Sequence, residues 1–201
     1  MRMNKYLIGG SGLAGIIISA VVFLEGGYVN DPLDPGGETN YGITEQVARD
    51  HGYLGSMIDL PRETAEAIYI ETYVNKPSFD LVLEHSPAVA HKLIDAGVNT
   101  GPYRPSLWFQ RALNSLNRGG VDYANIKADG VIGPATMKAY ASLEQKRGAV
   151  KACELVIKLV DAQQASHYMS LNNLPQYTVG WVDHRISNVP LSQCTEYVEP
   201  R

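Results

Sequence analysis

Glu25-Gly-Gly-Tyr-Val-Asn-Asp-Pro-Leu-Asp-Pro-Gly-Gly-Glu-Thr-Asn-Tyr-Gly-Ile-Thr44 is the stretch on which the reading of this chain turns. Gly26-Gly27 and Pro35-Gly36-Gly37 punctuate it as turns, and Asp-Pro occurs twice, at Asp31-Pro32 and Asp34-Pro35. The pattern predicts a helix end at Leu24–Glu25, then a short hairpin through Asp34–Gly37. Tyr41-Gly-Ile-Thr44 then leads into a helix capped by Thr44. A hairpin of that size folds Asp34 and Thr39 back towards Glu25, gathering two carboxylates and a hydroxyl around one cleft. Cleavage of a glycosidic bond needs such a set: one acid to protonate the leaving oxygen, and a second carboxylate to activate water or stabilise an oxocarbenium-like transition state. Glu25, beside apolar Phe23 and Leu24, is the better candidate for the acid, because apolar surroundings disfavour the ionised form. On spacing alone a second reading stands beside it, in which Asp31 and Asp34 cap turns and Glu25 is a helix-end charge. The alternate acidic spacing of an EF-hand calcium loop is absent.

Upstream, Tyr6 to Leu24 carries no charge and follows Arg2 and Lys5. Nineteen helical residues rise about 28 Å, close to the thickness of bilayer hydrocarbon. Positive charge in front predicts a cytoplasmic N-terminus and sends everything after Leu24 across the membrane. A cleaved signal peptide is a second reading, with Ile18-Ser19-Ala20 a poor cleavage site, and a buried core helix a third. Gly9, Gly10, Gly12 and Gly15 would weaken such a core helix. Gly and Ser crowd the first half of the segment, so its insertion should be marginal. Ser11, Gly15 and Ser19 fit a helix-packing face, and the alternative is a segment built to leave the membrane.

Composition bounds the rest. With 201 residues, 45% apolar and 19% charged, the chain is long enough and apolar enough to bury a core. A net charge of -4 argues against nucleic acid as a partner. Five histidines show neither His-Glu-x-x-His nor paired-cysteine spacing, and no phosphate loop or nucleophile elbow appears. No metal or other cofactor is therefore expected. Cys153 and Cys194 leave two possibilities open, a single bridge or two free core thiols.

Leu60–Tyr73 reads as an amphipathic helix with Pro61 near its start and Ala65, Ile68, Tyr69 and Tyr73 at core spacing. Ala88–Gly101 reads as a helix closing on a Gly-rich turn, where Asn99 either caps the end or contacts a ligand. Trp108-Phe-Gln-Arg-Ala-Leu-Asn, then Ala128-Asp-Gly-Val-Ile-Gly-Pro-Ala-Thr, predicts a helix-turn-helix in which Gly133-Pro134 starts the second helix. Lys146–Leu171 reads as one long helix with Val150, Cys153, Ile157 and Val160 facing the core. In the tail, Trp181 is a candidate either for packing or for stacking on a sugar ring.

The Glu25–Ile43 stretch resembles the signature of glycoside hydrolase family 108, phage-type N-acetylmuramidases that cut peptidoglycan. In that family the glutamate of the Glu-Gly-Gly-Tyr motif is the catalytic acid, which falls on Glu25. The spacing also resembles the Glu-x8-Asp-x5-Thr triad of phage lysozymes. Eight residues separate Glu25 from Asp34, and four separate Asp34 from Thr39. The resemblance implies Glu25, Asp34 and Thr39 as catalytic residues, with Asp34 and Thr39 holding the attacking water. Candidate substrate contacts are Tyr41, Tyr69 and Asn99. Asp95 and Asn99 match the family's Asp-x-x-Val-Asn-x-Gly element, and Asp129-Gly-x-x-Gly-x-x-Thr136 resembles a peptidoglycan-binding module. Gly180-Trp181-Val-Asp-His-Arg185 resembles the family's Gly-Trp-x-x-Arg ending, with one extra residue before the arginine.

The implied fold is mainly α and lysozyme-like, an α+β arrangement with a small hairpin at the active site and an N-terminal apolar helix. The expected divisions are residues 1–24 as a membrane segment, 25–87 as the catalytic region, and 88–201 as a peptidoglycan-binding-like helical region completing the fold. Similar phage endolysins carry a signal-arrest-release segment, and Tyr6–Leu24 resembles one, without the cysteine that many of them use as a switch. The implied partners are peptidoglycan glycan strands and, through residues 6–24, the host inner membrane. The implied location is the periplasmic face of that membrane, followed by release. A lytic transglycosylase, which also works with one Glu acid, and a non-catalytic wall-binding protein are the competing functions.

Overall fold

A computed structural model describes Ile18 and residues 27–30, 37–172 and 174–196. The chain divides into two compact units, Met1–Asn75 and Lys76–Arg201. Among the described residues the protein is mainly helical with one small sheet, consistent with a lysozyme-like fold. The expected membrane segment lies outside the described residues apart from Ile18. Among those described, no helix is long and apolar enough to cross a membrane.

In the first unit, β1 (Thr39–Asn40) and β2 (Ile43–Thr44) pair antiparallel, with Thr39 opposite Thr44 and Asn40 opposite Ile43. α1 (Glu45–Asp50) follows at once, and the Thr44 hydroxyl caps it by accepting from the Val47 amide at 3.4 Å. Arg49 returns to Glu45 at 2.8 Å, an i,i+4 pair that also complements the helix dipole, and donates to the Tyr53 and Gly55 carbonyls. A single 3-10 turn, Met57–Asp59, leads to α2 (Arg62–Ile70). Pro61 sits at the N-cap of α2, and Ala65, Ile68 and Tyr69 are buried as their spacing predicts. The expected helix extends to Tyr73, but its last turn loosens into a π turn, Glu71–Asn75.

The second unit packs α3 (Phe79–His85), α4 (Pro87–Thr100), α5 (Tyr103–Leu116), α6 (Pro134–Arg147), α7 (Ala149–Ser170), α8 (Pro175–Arg185) and α9 (Gln193–Glu196). Ser86 caps α4 and Gly101 ends it in the left-handed region. Phe79, Leu93, Phe109, Leu113, Tyr140, Val156 and Val160 build the core, with the Phe109 and Tyr140 rings edge to face at 5.3 Å. The long helix expected from Lys146 begins instead at Ala149. Gly148 at φ 83° breaks the chain, and Lys146 and Arg147 form the last turn of α6, where cations suit the dipole. Cys153 and Cys194 form a disulfide joining α7 to α9, their Cα atoms 5.8 Å apart.

The Lys92 side chain, only 1% exposed, reaches Asp161 of α7 at 2.6 Å. The same ammonium donates to the Arg185 carbonyl at 2.6 Å and to Asn188 Oδ1 at 3.1 Å. Breaking such a pair strands a charge in the interior. Lys92→Met should therefore lower unfolding free energy by about 3–5 kcal/mol in a denaturant titration, a loss under about 1 kcal/mol being incompatible with this role.

Candidate active site

The described part of the site is the two-stranded sheet with an isolated bridge from Val29, centred on Thr39. Val29 and Thr39 exchange both backbone hydrogen bonds, at 2.8 and 2.9 Å, and Thr39 pairs with Thr44 on its other side. Val29 and Thr39 are thus paired antiparallel, while the expected turn through Asp34 lies outside the described residues. Asn30 Nδ2 reaches Glu38 Oε1 at 3.4 Å, and the Glu38 carbonyl accepts from the Glu45 amide, tying this pairing to the start of α1. Glu25 and Asp34 lie outside the described residues. Thr39 is half-buried.

A second, tighter hairpin was not anticipated. Tyr41-Gly42, expected only to lead into a helix, forms the two-residue turn between β1 and β2, with φ of 52° and 71°. Positive φ at both central residues defines the type I′ turn, whose twist matches the strands it joins. Glycine accepts this at no cost, but a tyrosine there is an outlier that stores roughly 1–3 kcal/mol. Two contacts hold it. The Tyr69 hydroxyl donates to the Tyr41 carbonyl at 3.0 Å, and buried Asn40 donates to the Met57 carbonyl at 2.8 Å. Tyr69 itself is buried, its ring 5.4 Å from that of Tyr73, so the structure places it beneath the turn. Sequence reading missed Asn40. Its only signal was an amide side chain between Thr39 and Tyr41, at the alternation position that faces inward.

The remaining candidates belong to the second unit. Asn99, in the last turn of α4, accepts the Tyr168 hydroxyl at 2.7 Å, and that hydroxyl accepts from Gln164 at 2.7 Å. Burial pushes the Tyr168 hydroxyl up to about 12, so it remains a donor at any physiological pH. Asp95 pairs with Arg185 at 2.7 Å despite the extra residue in the tail motif, and Trp181 stacks on Tyr168 at 5.3 Å. Gln110, almost wholly buried, explains the Asp-Gly-x-x-Gly-x-x-Thr pattern. Its amide donates to Asp129, the Val131 carbonyl and Thr136, while its oxygen accepts from the Gly130 amide at 2.7 Å. That donated bond, helped by the Val131 amide, holds the Asp129 carboxyl below its usual range. The motif residues shape the helix-turn-helix, as expected.

Residues 18–101 match the family model described as glycosyl hydrolase 108, and residues 104–186 match one described as a predicted peptidoglycan domain. The chain is similar to glycosyl hydrolase family 108 over residues 18–101. It is a glycoside hydrolase that degrades peptidoglycan. The solved structure of Brucella abortus SagA is similar, at 27% identity and a TM-score of 0.65, covering 94% of this chain and 97% of that one. No curated protein matches the chain. The hydrolase stretch includes the whole fold-back from Val29 to Thr44, and it runs on through α4 to Asn99.

The strain at Tyr41 yields a test. Asn-Gly is the favoured pair for a type I′ turn, so Tyr41→Asn should raise stability by about 1 kcal/mol. If the ring contacts substrate, hydrolysis of peptidoglycan should fall in the same variant. Full activity alongside the higher unfolding midpoint would remove Tyr41 from the substrate contacts.

Proposed function

We propose that the protein is an endolysin of the N-acetylmuramidase type, cutting the β-1,4 bond between N-acetylmuramic acid and N-acetylglucosamine during phage-induced lysis. The observation that carries this reading is the antiparallel pairing of Val29 with Thr39, inside a hydrolase stretch that is followed by a peptidoglycan domain. In this reading Glu25 protonates the glycosidic oxygen. Asp34, which falls between Val29 and Thr39 in the sequence, and the Thr39 hydroxyl position the water that attacks the anomeric carbon. Asn99 and Tyr41 are assigned to substrate, and Tyr69 to the turn that presents Tyr41. The enzyme acts outside the cytoplasm, tethered at first by residues 6–24 to the inner membrane and later released. The Cys153–Cys194 disulfide supports an oxidising compartment, where such bonds persist.

Digestion of purified peptidoglycan, with fragments identified by mass spectrometry, tests the chemistry. Reducing N-acetylmuramic acid ends are expected from the parent, with rates reduced about 1,000-fold in Glu25→Gln and about 100-fold in Asp34→Asn. Anhydro ends would make the enzyme a lytic transglycosylase, and wall binding without fragments would leave a binding protein. Tethering has its own test. Replacing Gly10, Gly12 and Gly15 with leucine should hold the protein in the membrane fraction and delay lysis, and lysis on schedule would dismiss release as the trigger.

A further inference from the structure

The second unit contains a cleft of about 480 Å³ between α5 and α7, inside the stretch that matches the peptidoglycan domain. That volume suits a small ligand. Arg104 and Arg111 stand two helical turns apart on one face of α5, and both line it. Neither guanidinium has a carboxylate partner among the described residues. Arg104 donates to the Thr100 carbonyl at 2.7 Å and makes no ion pair there. No aspartate or glutamate lines the cleft, although the whole chain carries a net charge of -4. The protein has thus set aside two cations at a concave, carboxylate-free place, which is what an anionic ligand requires.

The aromatic lining narrows the class. Trp108, only 5% exposed, and His167 form an aromatic corner with ring centres 5.9 Å apart. Burial, and then the charge of Arg104, pull the His167 ring below its usual range, so it meets the ligand as a neutral aromatic and hydrogen-bonding group. Gln163 donates to the Trp108 carbonyl at 2.9 Å and the Leu159 carbonyl at 3.0 Å. Its side-chain oxygen makes no bond among the described residues and is available to a ligand amide. A bare sugar offers no anion for the arginines. An inorganic anion leaves the aromatic corner and the amide acceptor without purpose. An extended peptide with free carboxylates uses all of them, since acids three residues apart span about 10 Å, as do positions seven residues apart on a helix.

We propose that this cleft binds the carboxylate-bearing peptide stems of the wall. Arg104 and Arg111 take the acids, Gln163 accepts from a backbone amide, and Trp108 and His167 pack on the apolar side chains. The proposal rests on the functional reading above only in taking the wall as the source of the peptide. Binding to the stems would hold the enzyme on uncut, peptide-bearing strands.

Calorimetric titration of the full chain with a synthetic stem peptide tests it, against the same peptide amidated at every carboxyl. The free acid should bind, the amidated form about tenfold or more weakly, and Arg104→Gln/Arg111→Gln should lose at least as much. Arg111→Gln alone, at an exposed position, should give a partial loss with an unchanged circular dichroism spectrum. Equal affinity for the amidated peptide, no binding of the free acid, or displacement of the peptide by inorganic phosphate at equal concentration would each overturn the assignment. Hydrolysis of peptide-free glycan strands is measured in parallel. Glycan cleavage without peptide binding rejects the cleft and keeps the muramidase, whereas peptide binding without cleavage does the reverse.

Discussion

A lysine ammonium with almost no exposure to solvent is the constraint around which the second unit is organised. Lys92 sits on α4, the helix that the hydrolase stretch contributes to this unit, and every group that compensates it comes from later in the chain. Asp161 supplies the countercharge, while the Arg185 carbonyl and Asn188 supply the remaining acceptors. An ammonium removed from water costs several kcal/mol unless all its protons are met, so α4 cannot keep its place until α7 and the segment after α8 are home. Asp161 is shared further, since its Oδ1 also accepts from the Ser187 amide at 3.2 Å. Arg185 sends its guanidinium back to Asp95, one turn of α4 from Lys92. α4 thus makes two ion pairs of opposite sense, Lys92 to Asp161 of α7 and Asp95 to Arg185 of α8, which with the Lys92 bond to the Arg185 carbonyl fix the direction and register of the tail as apolar contact alone would not. α8 has no buried residue of its own, so this polar lock and the Trp181–Tyr168 stack do the holding.

The first unit uses a different economy. Its small sheet has two-residue strands, too short to be stable alone, and its turn places a tyrosine where glycine or asparagine would be comfortable. The fold-back survives because its neighbours over-determine it. Thr44 serves at once as strand end and helix cap, Asn40 is bound below, and Tyr69 holds the Tyr41 carbonyl. Strain kept in place by several independent contacts is the usual condition of a functional turn. The same strand residue, Thr39, is also bonded to Val29 through both backbone groups.

Much of this was legible in the sequence, for identifiable reasons. Pro61 and Gly133-Pro134 mark helix starts by chemistry that needs no partner, and Gly101 marks an end, whereas the Ser86 cap and Pro87 start of α4 went unread. Thr44 was legible as a cap because its role spans only three residues. The type I′ turn was not, because Tyr-Gly is a poor sequence for it and the stabilising hydroxyl lies 28 residues away. Gly148 split an expected helix for a related reason. The charged residues around it fit a helix surface, and only its positive φ reveals the break. Lys92 gave no signal at all, since a lysine in an amphipathic helix reads as solvent-facing until the whole unit is assembled. Nor could spacing decide the cysteines, 41 residues apart, which only the meeting of α7 with α9 brings together.

α5 shows most plainly why pattern alone stops short of function. Three faces of this one helix do three jobs. Phe109, Ala112 and Leu113 are buried in the core. Gln110, Asn114 and Asn117 form a polar ladder that binds the following loop through Asp129, Ile126 and Asn125. Arg104, Trp108 and Arg111 line the cleft. Helical periodicity separates apolar from polar positions, but it treats amides and guanidiniums alike as solvent-facing. What distinguishes them is whether the chain returns to satisfy them. The ladder's amides are met by backbone and side chains of the very loop they organise, so their polarity is consumed by folding. The arginines are met by no carboxylate among the described residues, so theirs remains available for a ligand. That difference in satisfaction separates the structural face of the helix from the one left for recognition.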